Sequence, residues 1–280
     1  METVKVLLIY NASDRRCGYQ NFGTQMAKAL IRAGVDVTVW DGTYSVVYAR
    51  GHQLLPSNVH DYDLVHIIWH AMTMNHYNGA DWTGLKTSIW EGGPSDAYCP
   101  FLDAMQIRWS DYPRQGFRYL DYPVVDWIDD LPPPASTFTV GASSVRGDGV
   151  GDIIEICEQQ GWATNLPDPT QWLSAEDEIR RLAKSTINVC WYRTPPIWKN
   201  HASAPSTLLA AKRPLLINHD LLVEHLHDAP DLYHETDLPR MLKRLEWWQS
   251  RGLPLKQPLE SAERLSWTRA VDAYLSGWGA

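Results

Sequence analysis

The first forty residues contain a strand–helix–strand pattern that constrains the fold more than any other part of the chain. Residues Lys5–Tyr10 form a continuous apolar run, which is typical of a strand buried on both faces of a parallel sheet. A polar loop, 11–23, leads to a predicted helix over Thr24–Ala33, which Gly34 ends, and Val35–Trp40 is the second strand. This βαβ unit predicts an α/β fold with an open parallel sheet and right-handed crossovers.

Two later strands end in titratable residues. Asp63–Trp69 is followed by His70, and Lys86–Trp90 is followed by Glu91 and then, after a Gly-Gly turn, by Asp96. Ligands bind beyond the carboxyl ends of strands in such sheets, so these three residues are the catalytic candidates. Glu91 is interpreted as a general base or an acceptor for a sugar hydroxyl. The alternatives are that Glu91 only caps its turn and that His70 is a half-buried structural histidine.

A loop–helix–strand stretch covers residues 200–218. Small and polar residues of 201–206 precede a predicted helix, Thr207–Lys212, with Pro205 placed where a helix can begin. Pro214 ends the helix, and Leu215–Ile217 reads as a buried strand. Free N–H groups and the helix dipole at such a start favour a phosphate, although an ordinary connection in an α/β domain has the same pattern.

The stretch 106–120 alternates arginines with aromatic residues. Guanidinium groups beside aromatic faces suit a phosphate backbone with unstacked bases. Two short strands with solvated arginines are the simpler interpretation of the same pattern. The candidate nucleic-acid contacts are Arg108, Trp109, Arg114, Arg118 and Tyr119.

An acidic, proline-rich segment, 122–135, predicts a domain boundary. A second α/β series follows, with predicted strands at Thr137–Val140 and Ile187–Trp191 and a glycine-rich loop at 141–151. The predicted domains are 1–134, 135–257 and a C-terminal helical segment, 258–280, whose helix runs from Ser261 to about Ser276. Both domains are expected to be Rossmann-like.

Composition excludes several classes of function. The net charge of −8 over 280 residues gives no global basic field for nucleic acid or anionic membranes. No apolar run is long enough to span a bilayer, and no signal peptide is evident. Four widely spaced cysteines form neither a CxxC pair nor a zinc pattern, which suits reduced thiols. These features predict a cytoplasmic protein.

The order of these parts resembles the two-domain GT-B glycosyltransferases, and most closely the family-four (group 1) type. Four segments carry the resemblance, and they occur in the expected order. They are the opening βαβ unit with its glycine-containing loop, the strand and loop around 141–147, the helix segment Ser206–Pro214, and Ser266–Tyr274, which is similar to the family's last helix.

The resemblance implies two domains facing a cleft, with the last helix crossing back to the first domain. It implies transfer of a sugar from a nucleotide-sugar donor to an acceptor hydroxyl, with no cofactor. The donor-binding residues that it implies are Gly18, Arg146, Gly147, Tyr192, Ser203, Ala204, Ser206 and Thr207. A cation and a helix N-terminus replace a metal, and since no DxD motif faces the donor site, we expect no essential metal.

The sequence also departs from the family pattern. Lys199 and Thr207 stand where the family usually has two glutamates, so donor sugar and stereochemistry stay open. The acceptor is open too, and the arginine–aromatic stretch makes a hydroxylated base in DNA one candidate, although the acidic net charge argues against it. A nucleotide-sugar epimerase of the same fold and a non-catalytic nucleotide-sugar-binding module are the alternatives.

Overall fold

The computed structural model describes residues 3–14, 18–49, 53–70, 73–91, 99–111, 114–142, 149–168, 170–171, 173–193, 203–218, 232–251 and 260–279. The chain divides into two compact units. One contains residues 1–121 together with 267–280, and the other contains residues 122–266.

The first unit is built on a parallel sheet of order β2-β1-β3-β4-β5-β6. Its described strands are β1 (Lys5–Tyr10), β2 (Asp36–Asp41), β3 (Leu64–Ile68), β4 (Thr87–Trp90), β5 (Ile107–Ser110) and β6 (Arg118–Tyr119). The helices are α1 (Gly18–Arg32) and α2 (Tyr44–Ala49), with short 3-10 turns at Val59–Asp61, Asn75–Gly79 and Leu102–Ala104. Apolar runs such as Leu64–Ile68 are buried throughout because helices and loops cover both faces of the sheet.

The last helix of the chain belongs to the first unit, as predicted. Trp278 donates its indole N–H to the Ser88 hydroxyl in β4 at 3.1 Å, and Trp267 packs against Phe22 of α1. Gly277 lies so close to Trp109 that a Cβ there would be 2.4 Å from the indole ring. The helix can approach the sheet this closely only because residue 277 has no side chain.

The second unit has a parallel sheet of order β11-β10-β9-β7-β8. Its strands are β7 (Thr139–Gly141), β8 (Ala163–Asn165), β9 (Ile187–Cys190), β10 (Leu215–Ile217) and β11 (Leu232–His234). Its described helices are α3 (Val150–Gln160), α4 (Ala175–Leu182), α5 (Ser203–Ala210), α6 (Leu238–Arg251) and α7 (Glu260–Arg264), and the last helix, in the first unit, is α8 (Trp267–Trp278).

The proline-rich segment, which contains the predicted domain boundary, is fixed to the second unit by two arginines. Arg213 is 2% exposed and donates to the carbonyl oxygens of Ser185 and Pro132, and Arg180 donates to that of Asp130. Buried guanidinium groups need such partners, and carbonyls without regular secondary structure need donors. Each of these hydrogen bonds therefore satisfies both an arginine N–H group and a backbone carbonyl oxygen.

Three predicted helix boundaries were wrong. Helix α1 begins at Gly18 rather than Thr24, so Gly18 opens the helix instead of lying in a loop. Helix α5 begins at Ser203 rather than Thr207, with Pro205 inside its first turn, where a missing N–H costs little. The predicted final helix is two helices, because Ser266 leaves the helical conformation to bridge Val124.

The cysteines that the structure describes, Cys99, Cys157 and Cys190, are free and buried, and Cys17 lies outside the described residues. Within the described part of the chain, helices fall short of the length and apolarity that crossing a bilayer requires.

Candidate functional site

The carboxyl edge of the first sheet collects four polar side chains. Asn11 directly follows β1, Glu91 follows β4, Asp111 follows β5, and His70 stands two residues beyond β3. The strands β1, β3, β4 and β5 are neighbours and all parallel, so their carboxyl ends meet at one edge. Sequence reasoning singled out Glu91 and His70 but not Asn11 or Asp111.

Glu91 is almost completely buried and forms an ion pair. Its side chain is 1% exposed, and its Oε2 lies 2.8 Å from Nη1 of Arg114, which stacks over the Phe117 ring at 4.4 Å. The contact has ion-pair distance but not hydrogen-bond alignment, and Oε1 has no hydrogen-bond partner among the described residues. Burial raises the pKa of the Glu91 carboxyl above its ordinary value, and Arg114 opposes that shift. The carboxylate thus keeps capacity to accept a hydrogen bond.

His70 is oriented by a short hydrogen-bond network. Its Nδ1 lies 2.8 Å from the hydroxyl of Thr73, which accepts a hydrogen bond from the Asn11 side-chain amide at 2.6 Å. Tyr19 packs edge-on against the imidazole, with ring centroids 4.7 Å apart. Burial lowers the pKa of His70, which favours the neutral ring. A neutral imidazole accepting from Thr73 at Nδ1 has a donor N–H at Nε2.

Asp111 is the carboxyl group that sequence reasoning missed. Burial, and secondarily the charge of Asp121, raises its pKa to about 7, and the Asp111 backbone N–H opposes this shift. Its Oδ1 is buried without a hydrogen-bond partner in the described structure. Its position directly after β5 could be predicted from the sequence. The sequence interpretation of this stretch considered its arginines and aromatic residues and not its aspartate. An Asp directly after a predicted strand was the sequence signal that could have identified Asp111 as a candidate.

We expect Asp111→Asn to stabilise the protein at high pH. A raised carboxyl pKa contributes stability that is complete below about pH 4 and is lost as the pH rises through about 7. A pKa difference of about three corresponds to at most about 4 kcal/mol, so the variant should exceed the wild type by up to that amount at pH 8 and match it at pH 4.

Urea denaturation at both pH values checks this prediction. The exposed Asp61→Asn variant removes the same charge from the same unit and is the control. Equal midpoints for Asp111→Asn and the wild type at pH 8 would show that the Asp111 carboxylate is well solvated.

The arginine–aromatic stretch is only partly exposed. Trp109 is 3% exposed and packs against Tyr274 of the last helix, with the Arg118 guanidinium 5.5 Å from its ring centroid. Arg108 donates to the carbonyl of Met105. Arg118 and Tyr119 are exposed. Of the five candidate nucleic-acid contacts, Trp109 is a packing residue, and Arg118 and Tyr119 are the exposed ones.

In the second unit, an asparagine holds the end of β9. The side chain of Asn218 accepts from the Tyr192 N–H at 3.0 Å and donates to the Tyr192 carbonyl at 2.6 Å. Tyr192 itself is half-buried at the carboxyl end of the strand. This two-point contact joins the ends of β9 and β10, so the predicted donor-binding Tyr192 has a fixed backbone. Its partner Asn218 was not singled out by sequence reasoning.

An arginine of α4 fixes the strand ends on the other side of the sheet. Arg181 donates to the carbonyls of Ala142 and Asn165, which follow β7 and end β8, and is paired with Glu178 at 2.6 Å. The predicted diphosphate residues Arg146 and Gly147 come shortly after Ala142 but lie outside the described residues, as does Asp96 in the first unit.

Four of the remaining donor-binding candidates lie on α5, and the fifth, Gly18, lies on α1. Ser203, Ala204 and Ser206 belong to its first turn, and Thr207, half-buried, follows them. The backbone of α5 packs next to β9 and β10 in the second unit. Gly18 belongs to the first unit and is exposed, with open space around the position of a Cβ. Among the described residues, no three metal-ligating side chains cluster.

The fold is shared with solved structures over the whole chain. An alpha-glucosyltransferase in complex with UDP and a 13-mer DNA containing a central A:G mismatch has a TM-score of 0.67 at 10% identity, covering 99% of this chain and 100% of that one. AviGT4, a glycosyltransferase involved in avilamycin A biosynthesis, has a TM-score of 0.62 at 13% identity, covering 99% and 97%.

A third solved structure, assigned as a UDP-N-acetylglucosamine 2-epimerase from Listeria monocytogenes, has a TM-score of 0.53 at 13% identity, covering 99% and 96% of the two chains. No family model matches the sequence, and no curated protein is significantly similar to it. The structural likeness confirms the predicted fold class.

Proposed function

On the premise that this chain has the GT-B fold, we propose that it transfers a sugar from a nucleotide-sugar donor to an acceptor hydroxyl. The observation that carries the proposal is the end-to-end match, through both units and the returning last helix, to an alpha-glucosyltransferase in complex with UDP. Buried polar groups at the carboxyl edge of the first sheet supply chemistry that fits this reaction.

The second unit is the proposed donor side. The N–H groups in the first turn of α5 and the dipole of that helix would stabilise the departing diphosphate. Arg146 and the loop that contains Gly147 are proposed to add positive charge and backbone donors. Because these groups offset the diphosphate charge, the proposed reaction has no essential metal, and no cofactor beyond the nucleotide sugar. Tyr192, held by Asn218, is proposed to contact the nucleotide.

The first unit supplies the groups for the hydroxyl chemistry. Glu91 is proposed to accept a hydrogen bond or a proton from a hydroxyl, because its Oε1 has spare acceptor capacity and burial raises its pKa toward the working range of a base. His70 is proposed to donate from Nε2, and Asp96 and Gly18 to assist from neighbouring positions.

A hydroxylated base in DNA is the proposed acceptor. The alpha-glucosyltransferase that shares this fold is in complex with DNA containing an HMU base in another structure. In this chain, Arg118 and Tyr119 offer an exposed cation and an exposed aromatic ring on the edge strand β6. The protein is proposed to act in the cytoplasm, where both nucleotide sugars and DNA are present.

Epimerisation of the nucleotide sugar is the second candidate, because an assigned epimerase has the same fold over the whole chain. The two reactions differ in their need for an acceptor. An epimerase converts the nucleotide sugar alone, whereas a transferase releases nucleoside diphosphate in proportion to the acceptor that is glycosylated.

A thermal-shift panel of nucleoside diphosphates and nucleotide sugars tests the proposed function. A ligand at about 100 times its dissociation constant adds about 2.7 kcal/mol of stability, which raises Tm by roughly 5 °C for a protein of this size. The matching nucleoside, which lacks the diphosphate, is the control and should give little shift. If no nucleotide or nucleotide sugar shifts Tm, the proposed function is wrong.

A further inference from the structure

Helix α6 in the second unit has one face that no step of the proposed reaction uses. Met241, Leu245 and Trp248 pack into the core, as spacings of three and four residues dictate. The adjacent face carries Arg240, Lys243, Arg244, Trp247 and Arg251, at positions that also repeat every three or four residues. We call these five residues the α6 stripe.

The α6 stripe borders a groove. A space of about 350 Å³ is lined by Arg240, Lys243, Arg244, Trp247 and Glu235. Trp247 is 43% exposed, which is high for so large an apolar side chain, and the Arg251 guanidinium lies 5.4 Å from its ring centroid. Arg251 thus lies over part of the ring, and the exposed remainder of the indole borders a row of cations.

Charge on the stripe is only partly neutralised. Glu235 binds Arg244 at 2.6 Å, and Asp237 approaches Arg240 at 3.3 Å, where both side chains are well exposed. Exposed pairs of this kind are weak and yield to a stronger anion. Lys243 and Arg251 have no ion pair with another residue of the described chain. The stripe thus has a local positive balance in a chain of net charge −8.

The groove is separate from the proposed donor site. It lies beside Glu235, which directly follows β11 at the edge of the sheet, whereas Tyr192 comes after β9 and the α5 candidates lie on a helix that packs next to β9 and β10. Strand β9 is the second neighbour of β11 in the sheet and β7 is the third. At about 4.8 Å between neighbouring strands, β9 lies about 10 Å and β7 about 14 Å from β11. The residues that line the groove include none of the proposed donor-binding residues.

We infer that the α6 stripe is a binding surface for single-stranded nucleic acid. A base stacks on the exposed face of Trp247, and phosphates lie against Lys243, Arg240 and Arg251 along the helix. Charge complementarity and the aromatic face together favour a polyanion with flat bases over an acidic peptide, which would leave the indole without a stacking partner. The inference does not depend on the proposed sugar transfer.

Fluorescence anisotropy with a labelled single-stranded oligonucleotide at low salt tests the inference. Trp247→Ala should weaken binding about 5- to 100-fold. Trp247→Phe should lose less affinity, because a smaller aromatic ring is still present for stacking. Lys243→Glu should weaken binding to oligonucleotides of every sequence. It should also lower the magnitude of the slope of log K against log salt concentration by about one. Lys184→Glu, an equal charge reversal at an exposed site in the same unit, should bind as the wild type does.

Four results would overturn the inference. They are no binding by the wild type at low salt, equal binding by Trp247→Ala and wild type, full displacement of the oligonucleotide by an equal concentration of a mononucleotide, and loss of binding in Arg118→Glu but not in Lys243→Glu. The last result would place nucleic acid on the first unit alone. The thermal shift given by a nucleotide sugar should persist in Lys243→Glu, so the inference and the proposed function can fail separately.

Discussion

Replacing Glu91 by Gln is expected to lower kcat of sugar transfer by about 10²- to 10⁴-fold, which is the usual contribution of a positioned general base. Gln keeps the shape of the side chain and an oxygen that can face Arg114, but it cannot take a proton. The wild-type activity should fall on the acid side with a pKa above the ordinary range of Glu, because burial raises that pKa. The activity of the variant should not show this decrease at low pH.

Steady-state kinetics across pH separate the two roles proposed for Glu91. A loss confined to KM, with kcat kept, would mean that Glu91 binds a hydroxyl without accepting its proton. The matched control is the exposed Glu246→Gln, which removes the same charge in the other unit. Full activity of Glu91→Gln with an unchanged thermal transition would eliminate Glu91 from the reaction.

Replacing Arg114 by Ala is expected to destabilise the first unit by about 3 kcal/mol at pH 8. This is the low end for breaking a buried ion pair, since the Arg114 side chain is itself 23% exposed while that of Glu91 is 1% exposed. Without Arg114, the pKa of Glu91 rises further, because Arg114 is what opposes the effect of burial. The loss should therefore shrink as the pH falls and Glu91 takes up a proton.

Denaturation of the double variant Glu91→Gln/Arg114→Ala tests the origin of that loss. If the cost comes from an unpaired buried carboxylate, the double variant should be more stable than Arg114→Ala at pH 8. If both have the same midpoint, then Arg114 acts through its packing on Phe117 rather than through Glu91.

The parallel sheets were predictable because their strands are continuous apolar runs. A run such as Lys5–Tyr10 is typical of a strand covered on both sides, and the position of each strand fixes which residue stands at its carboxyl end. Glu91 and His70 were singled out as catalytic candidates in this way. Arg146, in the glycine-rich loop of the second domain, was implied by the family resemblance, and it lies outside the described residues.

Contacts between distant residues were not predictable in the same way. Arg114 meets Glu91 across 23 positions, and Thr73 joins Asn11 to His70 across 62 and 3 positions. No periodicity relates such pairs, because they are brought together by the order of the strands in the sheet. Helix starts were also misplaced, since small polar residues such as those of 203–206 fit a loop and a first helical turn equally well.

The sequence by itself determined that this chain forms two parallel α/β sheets and which side chains stand at the strand ends, because both follow from local hydrophobic pattern. The tertiary structure decided what those side chains can do. Burial and Arg114 shift the pKa of Glu91 in opposite directions, and burial raises the pKa of Asp111 to about 7. The side chains of Thr73 and Asn11 orient His70. Solvation and pairing depend on neighbours that only the folded chain supplies.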